Sequence, residues 1–349
     1  MDEQLPTASA LARYARQMRF APLGEPGQRQ LMQSRVLLCG CGALGSTIAN
    51  LLVRAGVGAL RIVDRDVVEL SNLPRQVLFD EADVEAGSPK AVAAAEKLCR
   101  INSQVAIEPV VADIVPANVE EFCGGVDVIL DGTDNFETRF LINDVAVKRC
   151  LPWVYGGCVG AEGQVMAILP GETGCLRCLM PDCPPPGSTP TCDTAGIVGP
   201  IVGVIASLQA AEAIKILSGN RQAVSRKLTV IDLWSNTLRQ IDVGRLREQT
   251  DCPTCRQGQY SWLAGRSSSQ SAILCGRNAV QLSHPGQSIA LAELAARLVG
   301  VGSVVQTSFL VRLKVDHYEI TVFPDARAIV AGTNDVATAR AVYARYVGS

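Results

Sequence analysis

Two short cysteine pairs are the residues of this sequence best suited to binding a metal. Cys175 and Cys178 form one C-x-x-C motif, and Cys252 and Cys255 form a second. Four thiolates can complete a closed tetrahedral zinc site, which leaves no coordination position for water. The gap between the pairs is much longer than in compact zinc ribbons. The alternative to a zinc site is a redox pair or a set of unpaired thiols. The pattern favours a structural zinc ion that joins distant chain segments.

A glycine-rich stretch, Gly40-Cys41-Gly42-Ala43-Leu44-Gly45, follows a predicted strand and opens a predicted helix. Glycines allow a tight turn and bring backbone N–H groups close to an anion at the positive end of a helix. Asp64 ends the next predicted strand, at a spacing where its carboxylate can accept hydrogen bonds from ribose hydroxyls. On these residues alone, ATP and a nicotinamide dinucleotide fit equally well, and a purely structural turn is a third interpretation.

The residues that follow the second strand favour a triphosphate. Arg75 comes after Ser71 and Asn72, and Lys90 begins the following helix. The guanidinium is a planar fork for phosphate oxygens, and the lysine is a mobile point charge. A triphosphate needs such charges more than a dinucleotide does. For either cation taken singly, a solvated surface charge is the alternative.

A second carboxylate lies at the end of the fourth predicted strand, in Asp131-Gly132-Thr133-Asp134-Asn135. The carboxyl ends of parallel strands border the crevice where such sheets bind ligands. Asp134 is therefore a predicted Mg²⁺ ligand, directly or through water. The alternative is a cap for the helix that begins near Glu137, because Asp and Asn both cap helices well.

The elements that would position these residues alternate between apolar strands and helices, which is typical of a parallel sheet covered on both faces. Predicted helices begin near Leu44, Pro89, Ala117 and Glu137, and the segment from Cys178 to Thr194 is a predicted irregular loop. The predicted strands of the parallel part are RVLLC, LRIVD, VAIEPVV, VDVILD and WVYGG, and those of the added, antiparallel part are EGQVMAIL, KLTVIDLW and LRQIDV. The predicted fold class is α/β, with a Rossmann-like, mainly parallel sheet.

The remainder of the chain predicts a second, smaller domain. Residues 1–258 would form the first domain, residues 259–270 a polar linker, and residues 271–349 a small α+β domain. The sequence of the second domain predicts a strand, a helix, two strands and a helix, in the segments LCGRNAVQL, LAELAARLV, SFLVRLKV, YEITVF and ATARAVYARYV.

Composition narrows the function classes. The chain has 349 residues and a formal net charge of −2, which gives no electrostatic reason to bind nucleic acid or an anionic membrane. The apolar stretch from Ile197 to Leu217 contains polar residues and predicts a buried helix rather than a membrane span. The first residues do not resemble a signal peptide, and the 13 cysteines predict thiols or metal ligands. We therefore expect a soluble, cytoplasmic protein.

Several motifs in consistent order resemble the ThiF/MoeB/HesA family, over roughly residues 10–257. The motifs are RYARQ, GCGALG, SNLPRQ, SPK, DGTDN, the two C-x-x-C pairs and IASLQAAEAIKIL. Members of this family are related to ubiquitin-activating enzymes. They transfer AMP from ATP to sulfur-carrier proteins. Some longer ThiF-type proteins also carry an extra C-terminal domain, which residues 271–349 resemble.

The resemblance implies a role for each matching residue. Arg16 would reach the nucleotide of the neighbouring subunit in a homodimer, and Cys192 would form a covalent link to the carrier or the sulfur donor, with an inert loop thiol as the alternative. Arg75, Lys90 and Asp134 would be catalytic. The predicted contacts of ATP and magnesium are Gly40, Gly42, Ala43, Gly45, Asp64, Ser71, Asn72, Arg75, Lys90, Asp134 and Asn135. Two departures are Ala43, where the family usually has glycine, and a longer gap between Arg75 and Lys90.

The implied reaction joins the C-terminal carboxylate of a ubiquitin-like carrier ending in Gly-Gly to AMP, for thiamine or molybdenum-cofactor sulfur transfer, with a cysteine desulfurase as a candidate sulfur donor. A terminal carboxylate has a pKa of ~3.5, so its attack needs no general base. A mechanism without a general base suits this chain, because its only histidines are His284 and His317. Their positions exclude Ser–His or Cys–His catalysis in the first 270 residues.

The alternative functions are a nicotinamide dehydrogenase, a non-enzymatic scaffold and a tRNA-modifying dehydratase of the same superfamily. The C-terminal domain is a candidate docking module for the carrier or its thiolation partner.

Overall fold

The chain divides into two compact units. The computed structural model describes residues 8–184, 195–265, 271–274, 278–282 and 288–347. The larger unit comprises residues 1–185 and 197–267, and the smaller unit comprises residues 186–196 and 268–349.

The larger unit is built on an eight-stranded sheet in the order β3-β2-β1-β4-β5-β6-β7-β8. Strands β1 to β5 pair in parallel, and β6, β7 and β8 are added in antiparallel pairs. The strands are β1 (Arg35–Cys39), β2 (Ala59–Val63), β3 (Ala106–Val110), β4 (Val128–Asp131), β5 (Trp153–Val159), β6 (Glu162–Ile168), β7 (Lys227–Asp232) and β8 (Thr237–Asp242). The predicted fold class, a mainly parallel sheet with antiparallel additions, is confirmed.

Helices cover both faces of this sheet. They are α1 (Ala8–Ala12), α2 (Ala15–Met18), α3 (Gly24–Gln33), α4 (Ala43–Ala55), α5 (Glu81–Ala86), α6 (Lys90–Ile101), α7 (Val119–Phe122), α8 (Phe136–Arg149), α9 (Leu176–Leu179), α10 (Gly199–Leu217) and α11 (Leu246–Gln249). Strand β1 shows why both faces are apolar. Val36 and Leu38 join the core beneath α4, α6 and α10, whereas Leu37 and Cys39 join the core beneath α7 and α8. Successive side chains of a strand point to opposite faces, so a strand buried on both faces is apolar throughout.

Helix α10 is the long apolar segment predicted to be a core helix. Among the described residues it is the one helix whose length and composition would suit a membrane span. Half of its apolar stretch is buried within the protein. It packs against α4, β5 and β6, and Ile201 and Ile205 are fully buried there.

The segment predicted as a linker begins with packed residues. The rings of Trp262 and Phe140 lie 5.4 Å apart. The backbone N–H groups of Trp262 and Leu263 donate to Asp144 on α8. Trp262 and Leu263, within the segment predicted as a linker, therefore pack against α8.

The smaller unit is an antiparallel sheet in the order β11-β12-β13-β14-β10-β9 with two helices. Its elements are β9 (Ser271–Leu274), β10 (Ala279–Leu282), α12 (Leu291–Leu298), β11 (Ser303–Gln306), β12 (Val311–Val315), β13 (Tyr318–Val322), β14 (Ala328–Ala331) and α13 (Val336–Tyr346). Leu294 and Leu298 of α12 and Val342 of α13 pack on the sheet in one apolar core.

Sequence reasoning was wrong about the strands of this unit in two places. The segment LCGRNAVQL is not one strand, because Leu274 ends β9 and pairs antiparallel with Ala279 of β10. Asn278, just before β10, has a φ of +44°, which is turn geometry that asparagine tolerates. Strands β11 and β14 were not predicted, because each has only four residues and little alternation to detect.

Candidate nucleotide and zinc sites

The predicted nucleotide residues lie on the segments that follow three neighbouring strands, β1, β2 and β4. Cys39 at the end of β1 pairs in register with Val63 of β2 and with Asp131 of β4. The sheet order reverses here, because β2 and β3 lie on one side of β1 and β4 lies on the other. Such a reversal opens a crevice beyond the strand ends, where open α/β sheets bind their ligands.

The glycines of the loop between β1 and α4 have two different uses. Gly40 has a φ of +87°, and a Cβ added to Gly45 would lie 2.0 Å from the carbonyl oxygen of Gly40. A Cβ on Gly132, in the loop after β4, would lie 2.4 Å from the same oxygen. These three glycines let the strand ends and α4 pack backbone to backbone. A Cβ on Gly42, in contrast, would meet nothing closer than 3.8 Å, so packing within the chain does not require a glycine at this position.

The amino-terminal end of α4 follows the glycine loop at the carboxyl end of β1. Gly42 is the N-cap and supplies no side-chain hydrogen bond to the first turn. The first turn of a helix carries N–H groups without intrahelical partners, and the helix dipole adds partial positive charge. The α4 terminus therefore offers an anion the donors that a capping side chain would otherwise use. Ala43 is the first residue of α4, so it can still donate its backbone N–H.

Asp64 braces the glycine loop from β2. One carboxylate oxygen accepts the N–H of Cys41 at 2.6 Å, and the other accepts the N–H of Asp66 at 2.7 Å. Burial raises the pKa of Asp64, and the charge of Lys90 and these two N–H donors oppose that shift. Each oxygen has a second lone pair. Asp64 thus positions the loop in addition to the ribose contact expected of it.

Lys90 is a buried cation at the edge of the crevice. Its side chain is 4% exposed, and its Nζ lies 3.1 Å from Oδ2 of Asp66. The backbone N–H of Lys90 also donates to the carbonyl oxygen of Asp66 at 2.9 Å. A solvated surface charge is therefore excluded for Lys90. Sequence reasoning missed Asp66, although its place two residues after Asp64 is a signal for a second carboxylate on this loop.

The other predicted phosphate contacts lie on the segment between β2 and α5. Arg75 is half-buried, and its Nη1 donates to the carbonyl oxygen of Ser71 at 2.7 Å. Asn72 is buried, and its side-chain oxygen accepts the N–H of Glu69 at 3.1 Å. Gln76 is also buried, near Gly42, and its Oε1 has no hydrogen-bond partner. Sequence reasoning did not single out Gln76.

The structure separates the two roles considered for the loop after β4. Asn135 is the N-cap of α8, because its side-chain oxygen accepts the N–H of Thr138 at 2.8 Å. Asp134 is exposed and does not cap the helix. The capping interpretation therefore applies to Asn135, and the carboxylate of Asp134 faces solvent at the crevice.

A buried ion pair beneath Asp134 holds this loop. Arg139 donates through Nε to Asp131 at 3.1 Å and through Nη2 to the carbonyl oxygen of Thr133 at 2.8 Å. Thr133 donates its N–H and its hydroxyl to the other oxygen of Asp131. Burial raises the pKa of Asp131, and the charge of Arg139 opposes the shift. Sequence reasoning named the strand end but not Arg139, which is one helical turn beyond the motif.

Arg16 belongs to a helix that is anchored far from the glycine loop of the same chain. Its neighbour Gln17 donates to the carbonyl oxygen of Ala55, the last residue of α4, at 3.0 Å. The loop lies at the first residue of α4, and a helix of 13 residues is about 20 Å long. Arg16 itself is exposed.

The four predicted zinc ligands come together in the structure. The sulfurs of Cys175, Cys178, Cys252 and Cys255 all lie within 4.8 Å of one another. Three of the sulfur pairs are 3.4, 3.6 and 3.9 Å apart. Tetrahedral thiolates at the usual zinc–sulfur distance would be about 3.8 Å apart, so the cluster fits zinc. Cys192, the remaining predicted site cysteine, lies outside the described residues.

We expect Cys255→Ser to release the zinc and to lower the melting temperature, because three thiolates and a hydroxyl hold zinc more weakly than four thiolates. Zinc content by elemental analysis and thermal denaturation would measure both effects. Cys123→Ser is the matched control, since Cys123 is a buried thiol outside the cluster. Equal zinc content in the two variants would contradict the assignment.

Comparisons with known proteins identify similar chains. The ThiF family model matches residues 14–254. A relative from Bacillus subtilis, named sulfur carrier protein ThiS adenylyltransferase, is 40% identical over 338 residues, which cover 96% of this chain and 99% of the relative. A relative from Haloferax volcanii, named SAMP-activating enzyme E1, is 40% identical over 251 residues, covering 72% of this chain and 91% of the relative.

Solved structures show the same fold. The crystal structure of Escherichia coli MccB with ATP aligns with a TM-score of 0.59 and 24% identity, over 70% of this chain and 74% of that chain. At this identity the likeness concerns the fold alone.

Proposed function

The chain belongs to the ThiF family, and we propose that it adenylylates the C-terminal carboxylate of a ubiquitin-like sulfur-carrier protein with ATP, releasing pyrophosphate. The relative that matches over 99% of its length is named a sulfur carrier protein adenylyltransferase. The observation that carries the proposal is the uncapped terminus of α4 at the crevice, to which Lys90 at the start of α6 and Arg75 on the segment between β2 and α5 would add positive charge. The product would serve sulfur transfer to thiamine or the molybdenum cofactor.

The reaction depends on charge neutralisation and alignment. The α4 terminus binds phosphate oxygens through backbone N–H groups, Arg75 contributes a guanidinium fork, and Lys90 contributes a point charge. Asp64 binds the ribose. Asp134 would hold magnesium, which when bound supplies further positive charge to the phosphates. Together these groups allow an anionic carboxylate to approach the α-phosphorus in line with the departing pyrophosphate.

No general base is needed, because the attacking carboxylate is already ionised at neutral pH. Both histidines of the chain lie beyond residue 270, so the larger unit has no imidazole to serve as a base. The dehydrogenase alternative rested on the glycine loop and Asp64 alone. The family and the relatives do not favour it.

We further propose that the enzyme is a cytoplasmic homodimer with a structural zinc ion. None of the 11 cysteines in the described part of the chain forms a disulfide, which is consistent with a reducing compartment. A cysteine desulfurase is a candidate sulfur donor, and Cys192 is a candidate site of the covalent link. Residues 271–349 are a candidate docking module for the carrier or its thiolation partner.

Complementation would test the proposed action of Arg16 in the partner's site. Arg16→Ala and Asp134→Ala should each be inactive alone, and mixing them under conditions of subunit exchange should restore activity. Half of the dimers would then be mixed and each would hold one complete site, so about a quarter of wild-type activity should return. The rate of carrier-dependent pyrophosphate release measures the recovery. No recovery despite demonstrated exchange would place Arg16 in its own subunit's site or outside the site.

Nucleotide titration tests the proposed function as a whole. ATP with magnesium should bind more tightly than NADH, and pyrophosphate should appear only when a Gly-Gly carrier is added. Tighter binding of NADH, with no pyrophosphate released, would overturn the proposal.

A further inference from the structure

Helix α8 carries two adjacent buried polar residues, Asn143 and Asp144, that the proposed reaction does not use. Each is fully buried, where a polar side chain is costly unless it is hydrogen-bonded. Their hydrogen bonds lead to the two cysteine knuckles, which are Cys175–Cys178 and Cys252–Cys255.

Asn143 contacts the first knuckle through both ends of its carboxamide. Its Oδ1 accepts the backbone N–H of Leu176, between the two cysteines, at 2.8 Å. Its Nδ2 lies 3.7 Å from the sulfur of Cys175, within hydrogen-bond range for a sulfur acceptor. A carboxamide is suited to this place because it is a donor at one end and an acceptor at the other.

Asp144 contacts the second knuckle and the chain that follows it. Its Oδ1 accepts the hydroxyl of Thr254, between the two cysteines, at 3.2 Å. Its Oδ2 accepts the N–H groups of Trp262 at 2.9 Å and Leu263 at 3.3 Å. Neighbouring residues of one helix therefore hold two knuckles that are 74 or more residues apart in sequence.

A four-thiolate site has a strong need for such contacts. Four thiolates around Zn²⁺ leave a net charge of −2 in a largely buried place. A hydrogen bond to a ligand sulfur disperses part of this charge and fixes the direction of the sulfur lone pair. Asn143 provides such a contact, because its side-chain amide donates to the sulfur of Cys175, one of the four zinc ligands.

We propose that Asn143 is a positioning residue of the zinc site, which stabilises the Cys175 thiolate by hydrogen bonding and orders its knuckle, while Asp144 orders the second knuckle through Thr254. The inference rests on the zinc assignment and is independent of the carrier's identity. Arg139 lies one turn before Asn143 on α8 and holds the loop that carries Asp134. The zinc knuckles and the candidate magnesium ligand are thus supported by the same helix.

Zinc affinity of the full-length protein, measured by competition with a chromophoric chelator, tests the proposal. Asn143→Ala should weaken zinc binding by about 10- to 100-fold, the usual effect of removing a partner of a metal ligand. Asn143→Asp keeps an acceptor for Leu176 but places a carboxylate beside the thiolate, so it should weaken binding at least as much. This second variant retains the size of the side chain in case the alanine variant fails to fold.

Asn102→Ala is the matched control. Asn102 is likewise a fully buried asparagine, and it donates to Tyr14 and to the carbonyl oxygen of Val53, far from the knuckles in sequence. Its loss should lower the melting temperature without changing zinc affinity. Wild-type zinc affinity in both Asn143 variants, or an equal loss in Asn102→Ala, would overturn the inference. Failure of the wild-type protein to bind zinc would instead overturn the zinc assignment itself.

Cobalt substitution provides a readout that a purely structural role would not change. A hydrogen bond lowers the energy of the sulfur lone pair, so its removal should shift the thiolate-to-cobalt charge-transfer band of Asn143→Ala to longer wavelength. An unshifted band in a folded, cobalt-loaded Asn143→Ala protein would show that Asn143 does not act on the sulfur.

Discussion

Asp134→Ala should lose carrier-dependent adenylylation by about 100-fold or more while keeping its fold and its zinc. The magnitude is that of removing one preorganised electrostatic group from a reaction centre. Stability should hardly change, because Asp134 is exposed and Asn135, not Asp134, caps α8. Initial rates of pyrophosphate release at several magnesium concentrations would measure the loss, and melting curves would measure stability.

Two variants make this result specific to the carboxylate of Asp134. Glu96→Ala removes an exposed carboxylate from α6 and should leave the rate unchanged. Asn135→Ala removes the helix cap and should cost about 1 kcal/mol of the free energy of unfolding. Wild-type turnover in Asp134→Ala, or an equal loss in Glu96→Ala, would contradict the assignment of Asp134.

Lys90→Met should also lower the adenylylation rate by about 100-fold or more, because a buried cation at the crevice would be lost. This variant should lose stability as well, by roughly 2 kcal/mol, since Asp66 would lose the ammonium that lies 3.1 Å away. A single variant cannot separate these two effects.

The double variant Asp66→Asn/Lys90→Met separates them. Removing the charge of Asp66 should recover at least half of the lost stability, because no carboxylate is then left without its cation. The adenylylation rate should stay low, because no cation is available for the phosphates. Recovery of the rate together with stability would show that Lys90 is only a partner of Asp66.

The sequence was sufficient to predict the elements whose characteristic pattern lies within a few consecutive residues. Strands such as RVLLC, buried on both faces, and the glycine loop before α4 are recognisable from consecutive residues. The zinc ligands were equally recognisable, because each knuckle is a four-residue motif. The short strands of the smaller unit were missed, because four residues contain too little pattern to distinguish a strand from a turn.

Contacts between distant segments could not be predicted in this way. Gly45 and Gly132 are required by the close approach of their backbones to Gly40, which depends on the pairing of β1 with β4. In the sequence, nothing distinguishes Asn143 and Asp144 from other helix residues. Their contacts with the two cysteine knuckles arise only in the folded chain.

Pyrophosphate exchange with two forms of one carrier tests the central claim most directly. The claim is that a free, ionised chain end attacks ATP in a crevice of positive charge. A Gly-Gly carrier with a free C-terminal carboxylate should support exchange of labelled pyrophosphate into ATP, and the same carrier with an amidated terminus should support none. Equal exchange with both forms, or no exchange with either while ATP is bound, would contradict the account.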